Sequence, residues 1–214
     1  MRISLFVLLF SVFSVFGLVA KYEVPNPENA KLFMQEVIDD GQINIPKKKS
    51  SQENYNYFKD LASHKFAMSY MSAWSLGKHY KSLDAKLKDK YVSIITDYMV
   101  LFYADMFSKY YQSYIFKVVD AEQKGEEFFV NVLVKPKNNS KNQDSVINAV
   151  WRLKYSKDIK NFLLVDVSLN GVSVLLAQRS EFESAIKASN NSVADFITKL
   201  EKKVNDTKKQ KNIN

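Results

Sequence analysis

Few residues in this chain of 214 are of types that perform chemistry, and their spacing excludes several classes of site. The absence of cysteine rules out disulfides, thiolate metal sites and a cysteine nucleophile. The two histidines, His64 and His79, are too few for a metal site with three histidine ligands. No two of the five glycines are close enough for a dinucleotide-binding loop, and Ser72 stands where a P-loop ending at Gly77 would need its first glycine.

Serine and the acidic residues are the remaining candidates for catalysis. Residues 171–173 read Gly-Val-Ser, which is half of a nucleophile elbow, but the second glycine is missing and neither histidine has a suitable context. Acidic pairs at 39–40, 126–127 and 181/183 fall at helix ends, a turn edge and a polar helix face, where solvation explains them. The sequence therefore predicts no catalytic residue, no metal site and no enzyme.

The positive charge of the chain does not indicate nucleic-acid binding. The formal net charge is +8, but it comes almost wholly from lysines that are dispersed or concentrated near the C-terminus. Only Arg152 and Arg179 follow residue 20. Because a nucleic-acid site needs a clustered basic face, we expect no nucleic-acid partner.

The first twenty residues have the pattern of a cleaved secretory signal peptide. Arg2 gives a positive start, residues 3–19 carry no charge, and a small residue, Ala20, precedes the next charge. A membrane anchor is the rival interpretation, but a run of about 17 residues is at the short limit for a span. We expect export to the periplasm, a single domain over 21–204 and a flexible lysine-rich tail over 205–214.

The first half of the chain has the apolar period of helices. The first helix is expected to follow the N-cap Asn26 and to end at Gly41. A second helix is expected over 52–75 and a third, capped by Ser82, over 83–108.

After residue 111 the apolar period changes to two, which is the period of β-strands. Four strands are expected, near 113–122, 128–134, 147–155 and 163–169, and helical spacing returns at Val172. Helices, then strands, then helices predict an α+β fold. Its sheet is expected to be curved and antiparallel, with four or slightly more strands and with helices packed on one face.

The same periods predict which apolar side chains face inwards. In the last strand, alternation places Leu163, Val165, Val167 and Leu169 on one face. The third helix is rich in methionine and aromatic residues, which fill irregular space and adapt to varied ligands. An ordinary core and an apolar cavity both remain open on this pattern.

Two motifs within residues 58–204 resemble the MlaC family, also called toluene-tolerance auxiliary proteins. The first runs from Asp166 to Phe182 and contains Gly-Val-Ser, an aliphatic stretch and Arg-x-x-Phe. The second is Leu-Gly-x-x-aromatic at 76–80, followed by a long helix with Tyr-Ala at 103–104. Tyrosine and phenylalanine replace the family's usual tryptophan at two positions, which keeps the aromatic volume and leaves the exact ligand open.

The resemblance implies a soluble periplasmic phospholipid carrier that uses no cofactor. Such carriers move lipid between an outer-membrane lipoprotein–porin complex and an inner-membrane ABC transporter with a hexameric lipid-handling ring, which maintains outer-membrane asymmetry. The implied fold is an NTF2-like cone with an apolar cavity between sheet and helices. Two acyl chains carry about 30 methylenes at about 0.8 kcal/mol each, so the cavity must hide nearly all of them from water.

Strand alternation, helix spacing and the two motifs together give the predicted lipid-binding residues: Met99, Phe102, Tyr103, Met106, Trp151, Leu153, Val167, Leu169, Val172 and Leu175. Arg179 is expected either to contact the headgroup or to form a structural ion pair. We expect a monomer. The alternatives are a periplasmic adaptor or chaperone for partner proteins and a carrier of another apolar lipid, such as a hopanoid.

Overall fold

The computed structural model describes residues 22–47, 50–137 and 146–214, so the predicted signal peptide at 1–20 lies outside the described residues. The elements in chain order are α1 (Pro27–Asn44), a 3-10 turn (Ile45–Lys47), α2 (Ser51–Lys65), α3 (Met68–Leu76), α4 (Lys78–Lys81), α5 (Ala85–Ser113), β1 (Tyr114–Lys124), β2 (Glu127–Pro136), β3 (Ile147–Ser156), β4 (Asn161–Leu169), β5 (Val172–Ser173), α6 (Val174–Ala188) and α7 (Val193–Gln210). No helix in these ranges combines the length and the apolar character that a membrane span needs.

The strands form one antiparallel sheet in the order β1-β2-β3-β4-β5, which confirms the α+β class and the meander. The fifth strand consists of Val172 and Ser173, which pair with Leu169 and Ser168. Helical spacing predicts that the next helix starts at Val172. It starts at Val174 instead, because the two preceding residues extend the sheet.

A β-bulge in β4 changes which of its side chains face the core. Trp151 pairs with Val167 and Arg152 with Asp166, but Leu153 pairs with Leu164, so the register shifts between the last two pairs. Phe162 and Leu164 therefore join the apolar inner face, at 0% and 1% exposure. Simple alternation, which places Leu163 on the same face as Val167, is wrong because it does not allow for the extra residue.

Helix α1 packs on the apolar face of the sheet. The Asn26 side chain accepts a hydrogen bond from the Asn29 amide at 2.9 Å, as expected of an N-cap. Gly41 does not end this helix, which continues to Asn44. A Cβ at Gly41 would lie 2.7 Å from the ring of Tyr111, so this glycine allows the end of α5 to approach closely.

The stretch expected to form one helix over 52–75 is two helices, because Phe66 makes a parallel bridge with Leu164. The amide of Ala67 donates to the Leu164 carbonyl at 2.9 Å and α3 follows. The N-cap of α5 is Asp84 and not the predicted Ser82, because the Asp84 side chain accepts a hydrogen bond from the Leu87 amide at 2.8 Å.

The C-terminal segment differs from the expected flexible tail. Ser192 caps α7 as predicted, but the helix runs to Gln210 and Ile213 is only 7% exposed. Lys208 of this helix forms an ion pair with Asp97 of α5 at 2.6 Å. Residues 205–210 therefore belong to the folded domain.

The buried apolar residues form two clusters. One lies between α1 and the sheet, and the other lies among α2, α3, α5, α6 and α7. Phe66, Phe107 and Phe116 pack against both clusters. These rings therefore join the sheet layer to the helical layer.

Candidate functional site

An apolar cleft lies where the C-terminal half of α5 meets the sheet. It has a volume of about 40 Å³ and no charged residue in its lining. Its lining consists of Met106, Phe107, Phe116, Val134, Ile147, Ala149, Trp151, Val167 and Leu169. Such a surface can bind apolar groups and offers nothing for acid–base chemistry.

Strand register accounts for the sheet side of the cleft. Val134 of β2 lies opposite Ile147 of β3, and Trp151 of β3 lies opposite Val167 of β4. Paired residues point to the same face of the sheet, so these four side chains form one continuous apolar surface.

Phe107 fills the space between helix and sheet. Its ring stacks on Trp151 with 6.1 Å between centroids and an angle of 23°. It also stacks on Tyr103 at 5.8 Å and on Phe58 at 6.1 Å. Aromatic rings therefore occupy most of the space in which an open cavity was expected, and the cleft beside them is small.

Four of the ten predicted lipid-binding residues line this cleft: Met106, Trp151, Val167 and Leu169. Met99 and Tyr103 lie deeper and border a second cavity of about 10 Å³ beside α2. Burial, and to a lesser degree the charge of Asp166, raises the pKa of Tyr103 above its ordinary value, so its phenol stays neutral.

The other four predicted residues lie away from the cleft. Leu153 is fully buried between α1 and the sheet, and Leu175 is buried among the helices. Phe102 is 47% exposed and Val172 is 65% exposed, so both lie on the surface. A charge placed at Val172 would therefore meet water, contrary to the expectation that this residue faces lipid tails.

Several lining residues were missed by the sequence reasoning. Ile147 and Ala149 share the alternation of Trp151, so their positions could have been inferred. The position of Phe107 could not be inferred, because helical spacing places Met106 on the same face as Phe102 and does not place Phe107 there. The cleft faces the side of α5 that carries Met106 and Phe107.

Asp166 gives the Gly-Val-Ser motif a structural role. Its buried carboxylate accepts hydrogen bonds from the amide of Leu175 at 3.0 Å and from the hydroxyl of Ser173 at 2.6 Å. Ser173 in turn caps α6 by accepting from the Leu176 amide at 3.0 Å. The motif thus fixes the start of α6 to β4 and is not a nucleophile elbow.

Of the two predicted roles of Arg179, contact with a headgroup stays a prediction, and the structural ion pair is not formed within the described residues. Its guanidinium stands 5.0 Å from the ring of Trp74, next to Gly77 at the end of α3, and it is not part of the cleft. Among the described residues no carboxylate forms an ion pair with it. The same ranges contain no group of three histidine, aspartate or glutamate side chains that could hold a metal ion.

The protein is of the α+β class, with helices covering an antiparallel sheet and an apolar cleft between the two layers. Residues 33–202 match the family model described as MlaC protein. The chain therefore belongs to the MlaC family, as its motifs predicted.

Solved structures agree with this assignment at the level of the fold. The chain is similar to a phospholipid-binding protein from Ralstonia solanacearum, whose structure was solved in complex with a phospholipid. The TM-score is 0.67 and the sequence identity 10%, and the match covers 84% of this chain and 98% of the other. No curated protein sequence matches the chain.

Proposed function

We propose that this protein binds a phospholipid, with the acyl chains between α5 and the sheet. The observation that carries the proposal is the cleft, whose lining of nine residues is wholly apolar. Membership of the MlaC family and the fold shared with a phospholipid-binding protein support it. The protein acts as a binding and transport protein, not as an enzyme.

Lipid binding requires the cleft to widen. Its volume of about 40 Å³ is well below the 300–1,000 Å³, roughly, of ligand pockets. Phe107 must leave its stack with Trp151, and Met106 beside it is flexible enough to repack. Acyl chains then replace the aromatic contacts that the lipid-free protein makes with itself.

The proposed role extends to a shuttle in the periplasm. We infer that the protein is exported by cleavage after Ala20 and moves phospholipid between an outer-membrane lipoprotein–porin complex and an inner-membrane ABC transporter. This traffic would maintain the lipid asymmetry of the outer membrane. The family's role, and an apolar cleft that can shield tails from water, support this proposal.

Organic-solvent extraction of the purified protein, followed by mass spectrometry, tests the ligand. Phospholipid in near-stoichiometric amount is the expected result. If the extract contains a hopanoid or another apolar lipid instead, the ligand is different but the proposed binding site is unchanged. Protein that is free of lipid, takes none up from vesicles and binds unfolded proteins would overturn the proposal in favour of an adaptor or chaperone.

A pair of variants on β4 locates the site. Leu169→Glu places a charge in the cleft lining and is expected to lower bound lipid about tenfold, because burying an unpaired charge costs more than 1.4 kcal/mol. Leu163→Glu is the control, since Leu163 is also half-buried but pairs with Lys154 on the other face. Equal lipid content in the two variants would place the site elsewhere.

A further inference from the structure

A second, open groove lies on the helical side of the molecule, where α3 and α4 meet α6. Its volume is about 460 Å³. Its lining consists of Tyr70, Ala73, Trp74, Gly77, Lys78, Lys81 and Arg179. None of these residues lines the apolar cleft, so the two sites are separate.

Positive charge surrounds this groove. Lys78 and Lys81 are exposed on one side. The ammonium group of Lys154 stands 4.3 Å from the ring centroid of Tyr70 and 3.6 Å from the carboxylate of Glu127. The carboxylate of Glu183 is already engaged by His79 at 3.0 Å and lies 3.6 Å from Lys78. The groove therefore presents a basic surface with two aromatic walls.

The guanidinium N–H groups of Arg179 are available to a ligand. Its guanidinium is stacked near Trp74 and, within the described residues, makes neither an ion pair nor a hydrogen bond. Gly77, at φ +54°, leaves space for it, because a Cβ there would lie 2.5 Å from Nη2. A guanidinium held by an aromatic face keeps its N–H edges free for a carboxylate, which it can bind with two hydrogen bonds.

We propose that this groove docks an acidic segment of a partner protein. Tyrosine, tryptophan and arginine are the residue types that most often anchor protein interfaces, and all three line it. An aspartate or glutamate of the partner binds Arg179, and the two exposed lysines attract the rest of the segment. This site does not depend on the lipid site, so partner and lipid can bind together.

The two tryptophans allow each site to be followed separately. Trp74 lines the groove and Trp151 lines the cleft, and the chain contains no other tryptophan. Titration of the purified protein with hexaglutamate, observed by NMR at the two indole N–H groups, is expected to shift the Trp74 signal saturably and leave Trp151 in place. High salt is expected to weaken the effect, because the attraction is electrostatic.

Charge variants test the contact. Lys78→Gln/Lys81→Gln is expected to weaken hexaglutamate binding about fivefold. Lys117→Gln/Lys135→Gln removes the same charge from exposed positions on β1 and β2 and is expected to bind like the wild type. Arg179→Lys, which keeps the charge but not the two-pronged geometry, is expected to weaken binding as well.

Three results would overturn this assignment. If the Trp74 signal does not respond to hexaglutamate, the groove does not bind acidic segments. If the two double variants bind hexaglutamate equally well, the groove lysines have no role in binding. A response of Trp74 to inorganic phosphate or phosphatidylglycerol vesicles, but not to the peptide, replaces the protein partner by a phosphate ligand. Lipid binding at Trp151 remains measurable in each case, so it is judged independently.

Discussion

At the scale of the residue, Asp166 is the side chain on which the local structure most depends. It is 8% exposed, and its carboxylate accepts from the amides of Val167 and Leu175 and from the Ser173 hydroxyl. Removing it leaves the two buried amides without this acceptor and removes the carboxylate that lies 3.8 Å from the guanidinium of Arg152. Unsatisfied buried groups of this kind are costly because water cannot replace the lost partner.

We expect Asp166→Ala to lower the free energy of unfolding by about 3 kcal/mol, measured by urea denaturation. Asp166→Asn should lose less, since it keeps one carbonyl acceptor. Asp158→Ala, in the exposed turn between β3 and β4, is the control and should change stability by less than about 0.5 kcal/mol. A similar loss in both alanine variants would contradict the role given to Asp166.

The position of a residue was predictable where the apolar period of its helix or strand alone determines which face its side chain lies on. Trp151 and Val167 face the cleft. Alternation assigns the side chains of a strand to two faces, and the apolar face packs towards the inside. Val172 was misplaced because nothing local separates a two-residue strand from the first turn of a helix. Phe102 shares the apolar stripe of α5, yet no element within the described ranges covers it. Spacing alone does not show which apolar position of a helix is exposed.

At the scale of the element, α7 is held to the bundle by a shared carboxylate. Asp97 of α5 accepts hydrogen bonds from Lys208 of α7 at 2.6 Å, from Tyr55 of α2 at 2.8 Å and from Lys59 of α2. Burial alone would raise the pKa of Asp97, but these hydrogen bonds outweigh it and the pKa lies below its usual value. Burial would lower the pKa of Lys208, but its interactions with Asp97 and Tyr55 together outweigh burial, so the pKa of Lys208 lies above its usual value.

This cluster predicts a pH-dependent contribution to stability. Because the folded pKa of Asp97 is depressed, its contribution is present above the unfolded value of about 3.9 and is lost as the pH falls through the folded pKa. Because that of Lys208 is raised, its contribution is present below about 10.4 and is lost as the pH rises through the folded pKa.

Asp97→Asn should therefore cost on the order of 3 kcal/mol at neutral pH, and the difference from wild type should shrink below about pH 4. Asp105→Asn is the matched control, because Asp105 is also on α5 and its ion pair with Lys211 is exposed. Exposed pairs contribute about 0–1 kcal/mol. Urea unfolding at several pH values measures both, and a difference independent of acid pH would contradict the assignment.

Long-range pairing explains which elements the sequence could not predict. The break between α2 and α3 and the bulge in β4 meet at one place, where Phe66 bridges Leu164. Neither feature has a glycine or proline to mark it. The break between the helices arises from a contact between segments about a hundred residues apart, and the bulge arises from the pairing of β4 with β3. The number of long strands and the starts of α1 and α7 were predictable, because alternation and the caps Asn26 and Ser192 are local signals.

At the scale of the whole molecule, two apolar clusters meet through a few aromatic rings. The sequence left an ordinary core and an apolar cavity both open, and in the structure Phe107 fills this boundary by stacking on Trp151 and on Phe58. Sequence pattern cannot separate a filled interior from a hollow one, because the same residues serve both. If lipid chains replace Phe107 at this boundary, the cleft opens when the part of α5 that carries Phe107 moves away from the sheet.

Phe107→Ala tests that idea in delipidated protein. Loss of the ring is expected to lower the free energy of unfolding by about 3–5 kcal/mol and to increase the binding of an apolar fluorescent dye, because the cleft is then open. Added phospholipid should restore more of the melting temperature in this variant than in the wild type, since lipid fills the space that the ring left. Phe182→Ala, in the helical cluster beside Phe196, should be destabilised without either response. Dye binding that rises equally in both variants would mean that general loosening, and not the position of Phe107, controls access to the cleft.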